Sequence, residues 1–123
     1  MATRRILVID DSQTVRQQVG IALKAAGYEV VEAVDGVDGH HKVDATIDMV
    51  ICDVNMPRMN GLEMLETIKR DEKHAKLPVV MLTTEGNPGM IERAKKAGAK
   101  GWIIKPFKPE LLVAAVTKLV QAR

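Results

Sequence analysis

Six polar residues stand directly after apolar runs: Asp10-Asp11, Asp53, Thr83-Thr84 and Lys105. A carboxylate can act as a covalent nucleophile toward phosphorus, giving an aspartyl phosphate. The transferring group is negative, so such a reaction calls for cationic stabilisation and for a hydroxyl that can donate to a phosphoryl oxygen. Asp53, Lys105 and Thr83 supply these three roles. At an effective dielectric of about 20, two carboxylates roughly 4 Å apart repel by about 4 kcal/mol, so three ionised acids in one place need compensation. A divalent cation held by carboxylates, a carbonyl and waters would provide it, in the manner of magnesium. No Cys/His set favours zinc, and His40-His41 are adjacent in sequence and are expected to face solvent. Each residue also has an ordinary reading: Asp11 or Ser12 as a helix cap, Thr83 as a turn cap, Lys105 as a surface lysine. Their joint placement at strand ends is what those readings leave unexplained.

The elements that would position them follow from the hydrophobic pattern. Strands are predicted over residues 4–10, 28–33, 49–52, 79–82 and 101–104, alternating with helices over 12–26, 36–46, 62–70, 88–97 and 109–122. Val15, Val19, Ala22, Leu23 and Ala26 set the buried face of the first helix, and Gly27 stops it. Residues 54–60 read as a loop, with Gly61 serving the bend behind Asp53 through a tight or left-handed conformation. Near-continuous apolar strands alternating with helices imply a doubly wound α/β domain with a parallel sheet. Ligands of such sheets bind at the carboxyl ends of the strands, where the polar residues stand. Met49, Met64 and Met81 are expected in the core, and Cys52 reads as a small apolar strand residue.

Length and composition agree with one globular domain: 123 residues, 46% hydrophobic and 28% charged. The net charge of +2 hides an asymmetry, since residues 1–61 carry 6 basic and 9 acidic side chains and residues 87–123 carry 8 and 2. That basic third reads as a solvated helix face or a docking surface for an acidic partner; no nucleic-acid motif accompanies it. No signal peptide or membrane span is legible, and the lone cysteine suits a reducing compartment, so a cytoplasmic location is expected.

The segments Ile6-Leu7-Val8-Ile9-Asp10-Asp11-Ser12, Asp53-Val54-Asn55-Met56-Pro57-Arg58-Met59-Asn60-Gly61, Leu82-Thr83-Thr84 and Ile104-Lys105-Pro106-Phe107 together resemble the response-regulator receiver domain, especially the stand-alone chemotaxis (CheY) type. The resemblance covers essentially the whole chain, 1–123, with no output domain, and implies a flavodoxin-like (βα)5 fold with strand order 2-1-3-4-5. It implies that Asp53 is the phosphoacceptor, that Asp11, Asp53 and the Asn55 carbonyl bind Mg2+ directly (Mn2+ substituting), and that Asp10 contributes through water. Lys105 would pair with the phosphoryl group, and the Lys105-Pro106 bond would be cis. Thr83 and Trp102 would form the switch, and Asn55, Thr84 and Glu85 would tune dephosphorylation.

The implied partners are a sensor histidine kinase as donor and a target protein that docks on the face of the fourth helix, fifth strand and fifth helix, with a phosphatase as a further partner. No nucleic acid and no membrane insertion are implied, and the chain would be a monomer. Two departures stand out: Thr84 where relatives carry a small residue, and Trp102 where they carry Tyr or Phe. A phosphorelay shuttle or adaptor is the alternative role. A magnesium-dependent phosphohydrolase using Asp-x-Asp-x-Thr is disfavoured by Ser12 in Asp10-Asp11-Ser12-Gln13-Thr14. A flavin carrier is disfavoured because two aspartates would repel a phosphate after the first strand.

Overall fold

The computed structural model describes residues 3–56, 59–84 and 86–122. In chain order the elements are β1 (Arg5–Ile9), α1 (Gln13–Ala25), β2 (Glu29–Ala33), α2 (Gly36–Lys42), β3 (Met49–Cys52), α3 (Gly61–Arg70), a 3-10 turn (Glu72–His74), β4 (Val79–Thr83), α4 (Pro88–Ala97), β5 (Gly101–Ile104) and α5 (Pro109–Ala122). All neighbouring strands pair in parallel, in the order β2-β1-β3-β4-β5. This is the flavodoxin-like arrangement expected from the sequence.

Alternation along the strands divides the core into two layers. Ile6, Val8, Met49, Ile51, Val80 and Leu82 point to one face of the sheet, where Val19 and Leu23 of α1 and Leu112, Val116 and Val120 of α5 cover them. Leu7, Ile9, Val50, Cys52, Val79 and Met81 point to the other face, under Leu62, Leu65 and Ile68 of α3 and Ala94 of α4. Burying each such Leu or Ile is worth about 1.5–3 kcal/mol, which makes the sheet a rigid base for the residues at its strand ends.

Four local expectations need correction. Ala26 is exposed and lies beyond α1, because Gly27 at φ 95° closes the helix and the Tyr28 N–H turns back to the Leu23 carbonyl at 3.0 Å. That turn also delays β2 to Glu29. Helix α2 ends at Lys42 instead of residue 46, since Asp44 captures the Thr46 N–H at 2.8 Å and its hydroxyl at 2.5 Å in a competing turn. Gly61 is not among the positive-φ glycines; a Cβ there would overlap the backbone carbonyl of Asp53, so close approach of α3 to the acceptor strand is what requires glycine.

Candidate functional site

Asp10 continues β1 by one residue, its N–H bonding the Ala33 carbonyl at 3.1 Å, and it is 2% exposed. Its carboxylate accepts the Ser12 N–H at 2.8 Å and the Lys105 ammonium at 2.7 Å. Ser12, not Asp11, caps α1 by accepting the Val15 N–H, which leaves the Asp11 carboxylate outside the helix and exposed. Asp53 extends β3 in the same way, donating its N–H to the Ile9 carbonyl at 2.9 Å, and is 5% exposed. Its carboxylate accepts hydrogen bonds from the Thr83 hydroxyl and the Val54 N–H. Thr83, fully buried, ends β4, and Lys105 follows β5 with its N–H on the Thr83 carbonyl at 2.8 Å. The Lys105-Pro106 bond is cis, as the resemblance implied.

Ligand oxygens of Asp10, Asp11 and Asp53 all lie within 4.8 Å of one another. The Lys105 ammonium sits 3.6 Å from Asp53 and 2.7 Å from Asp10, so in this state the lysine is bound mainly to Asp10. Burial, and next the negative charge of Asp10, push the Asp53 carboxyl above its usual range, against the opposing pull of Lys105, Thr83 and the Val54 N–H. The balance leaves an acid whose charge is under-compensated by the protein alone. Three carboxylates without His or Cys in the cluster are a hard oxygen set, which suits Mg2+ or Mn2+ and not a soft metal.

Other singled-out residues fall around this centre. Asn55 is exposed on the loop two residues after Asp53. Thr84 is exposed and lines a cleft of about 630 Å³ with Lys105, Phe107 and Val15. Glu85, Pro57 and Arg58 lie outside the described residues. Trp102 is half-buried on the α3–α4 side of the sheet, paired in register with Met81, while Thr83 pairs with Ile104 two residues on. Beside its ring, Ile91, Ala94 and Ala99 line a cavity of about 70 Å³. His40 and His41 are both exposed, with ring centroids 6.2 Å apart. The Cys52 thiol is buried and donates to the Asp53 carbonyl at 3.3 Å; burial pushes its pKa up, far from thiolate reactivity.

Sequence reasoning passed over Arg16. Its guanidinium donates to the Asp10 carbonyl at 2.6 Å and to Glu32 at 3.0 Å, tying α1 and β2 to the turn that carries the paired acids. The only available signal was a basic residue one and a half helical turns after Asp10, which by itself names no partner.

A family model described as the response regulator receiver domain matches residues 6–117. The chemotaxis protein CheY1 of Helicobacter pylori is 41% identical over 111 residues, which cover 88% of this chain and 90% of that protein. The chemotaxis protein CheY homolog of Campylobacter jejuni subsp. jejuni is 38% identical, with 88% and 85% covered. Among solved structures, Vibrio cholerae chemotaxis protein CheY4, crystallized at low pH, aligns with a TM-score of 0.90 at 39% identity, over 96% of this chain and 99% of that one. With its strand order, its acidic cluster and these relatives in agreement, the chain belongs to the response regulator receiver domain family and is CheY-like.

Proposed function

We propose that this chain is a phosphorylation-activated switch of a two-component system that takes a phosphoryl group onto Asp53. The observation that carries this reading is the buried Asp53 carboxylate, held between the Thr83 hydroxyl and Lys105, beside two further carboxylates. Receiver domains bind Mg2+ at an acidic pocket, and here Asp11, Asp53 and the Asn55 carbonyl would hold it directly, with Asp10 acting through water. When bound, the ion supplies positive charge against the phosphoryl oxygens.

The step itself belongs to the side chains. An Asp53 carboxylate oxygen attacks phosphorus of a phosphohistidine on a sensor kinase; the P–N bond breaks, and its electron pair leaves on the imidazole, which takes up a proton. Lys105 moves from Asp10 to a phosphoryl oxygen, and Thr83 donates to another. In the reverse discharge, water attacks phosphorus and the bond to Asp53 breaks, regenerating the carboxylate, inorganic phosphate and a proton. Asn55, Thr84 and Glu85 flank that water's approach. Receiver domains are signalling proteins and not classical enzymes; this one would catalyse only its own charging and discharge.

The relatives named for chemotaxis make that the proposed pathway. Ile104 on β5 and Leu111 on α5, 45% and 63% exposed, give the α4–β5–α5 face apolar contacts for a phosphorylation-dependent target. A cytoplasmic monomer, with a phosphatase as a further partner, completes the reading. No helix among the described residues is long and apolar enough to cross a membrane.

Two charge-assisted hydrogen bonds are worth about 3–6 kcal/mol, close to the 5.5 kcal/mol or so that reverses a 1:99 equilibrium. Thr83 and Lys105 are already bonded to Asp53 and Asp10, however, so each exchanges one partner for another and only the difference drives the switch. Magnesium with beryllofluoride, a phosphoryl mimic, is expected to shift the emission of Trp102, the only tryptophan. Thr83→Ala should keep mimic binding and lose most of the shift. An equal shift in that variant would mean that the hydroxyl does not couple site to surface.

A further inference from the structure

The phosphoryl site occupies the exit ends of the strands; a groove between α3 and α4 leads away from it and becomes basic toward the strands' entry ends. Two depressions adjoin there and share Lys96 and Ala97. One, of about 620 Å³, is of mixed charge, lined by Arg70 and Arg93 and by the carboxylates of Glu66 and Glu92. The other, of about 310 Å³, is rimmed by Lys76, Lys96 and Lys100 over a floor of Ala75, Ala97 and Gly98. Lys69 is part of the wall, its stem packed beneath Gly98 and its ammonium donating to the carbonyls of Ala75 and Leu77. Glu66 is neutralised by Arg93 at 2.8 Å, whereas Lys76, Lys96 and Lys100 are exposed and in no ion pair among the described residues.

We infer that this groove is a docking surface for an extended acidic segment of a protein partner. The surrounding charge calls for an anion, and the shape calls for a long one. From Gly89 to Gly98 the α4 wall runs about 13 Å at 1.5 Å per residue, room for about four residues of extended chain. In the smaller depression the charged rim is separate lysine ammoniums, which act as point charges suited to successive carboxylates; a single planar anion is better met by an arginine fork. No aromatic side chain lines either depression, so the stacking on which single-stranded nucleic acid sites depend is absent. The plain alternative is that Lys95 and Lys96 only compensate the α4 dipole and the other lysines are solvated. That alternative gives no reason for an acidic peptide to prefer this groove.

The test is a fluorescence-anisotropy titration of a labelled oligoglutamate peptide at low ionic strength. It compares the full chain with the triple variant Lys76→Gln, Lys96→Gln, Lys100→Gln and with a control of equal charge loss, Lys24→Gln, Lys108→Gln, Lys118→Gln. Summed over three surface ion pairs, the groove variant should bind about tenfold more weakly, and the control within about twofold of the original. Amide shifts of Ala75, Gly98 and Lys100 in the unaltered chain locate the peptide even if a variant folds poorly. Equal losses in both variants, no peptide binding, shifts elsewhere, or an oligothymidine that displaces the peptide at lower concentration would each overturn the proposal.

Discussion

Replacing Asp53 by Asn should make the metal-free protein more stable, and the size of the effect follows from the geometry. Ligand oxygens of Asp10 and Asp11 lie within 4.8 Å of those of Asp53, where two unit charges repel by at least about 3.5 kcal/mol at an effective dielectric of about 20. Asp11 is exposed, and solvent reduces its share to roughly half of that. Lys105 at 3.6 Å returns about 4.6 kcal/mol on the same scale, but it is shared with Asp10. The net cost of the Asp53 charge is about 1–2 kcal/mol, and Asn keeps an acceptor for Thr83 or the Val54 N–H. For a chain of this length that is a rise in Tm of roughly 3–10 °C.

The pH dependence gives the sign. The Asp53 pKa is raised in the fold, so the folded state holds the proton more tightly than the unfolded one. Stability is therefore lost as pH rises from the unfolded value, about 3.9, through the raised folded value. The variant lacks that loss, so its advantage should be small in acid and reach a plateau toward neutral pH. Thermal melts with chelator across that range measure it. Saturating magnesium should narrow the gap, because an ion bound to the folded state adds RT ln(1 + [L]/Kd) to the original chain. A Tm for the variant equal to or below the original at neutral pH would refute the electrostatic reasoning.

Gly61→Ala should cost about 1–3 kcal/mol or more in urea unfolding, since the new methyl meets the Asp53 backbone and neither side can retreat; an unchanged midpoint would show that α3 shifts freely. Thr84→Ala opens the mouth beside Lys105 and should shorten the lifetime of the phosphorylated form by up to about tenfold, equivalent to 1.4 kcal/mol, as followed by phosphate release. An unchanged or longer lifetime would contradict crowding at that position.

The strand-end residues were legible because ligands of parallel α/β folds bind at those ends, and Asp10, Asp53, Thr83 and Lys105 each stand at the end of a short apolar run between helical patterns. Helices α4 and α5 were bounded correctly because Pro88, Gly98 and Pro109 act through local backbone geometry. What escaped depends on contacts distant in sequence or on competing short-range bonds. Asp44 and Thr46 end α2 through a side-chain turn that periodicity does not register. The requirement for glycine at 61 comes from the Asp53 carbonyl above it, Arg16 acts on a carbonyl, and Lys105 prefers Asp10, a partner 95 residues away, over the acceptor.

Asp53 is the proposed acceptor of the phosphoryl group. The most direct measurement of this is intact-mass spectrometry of the chain after incubation with magnesium and acetyl phosphate. One added phosphoryl group on the original chain, absent with chelator and absent in Asp53→Asn, is the predicted result; undiminished labelling of the Asp53 variant would contradict the account.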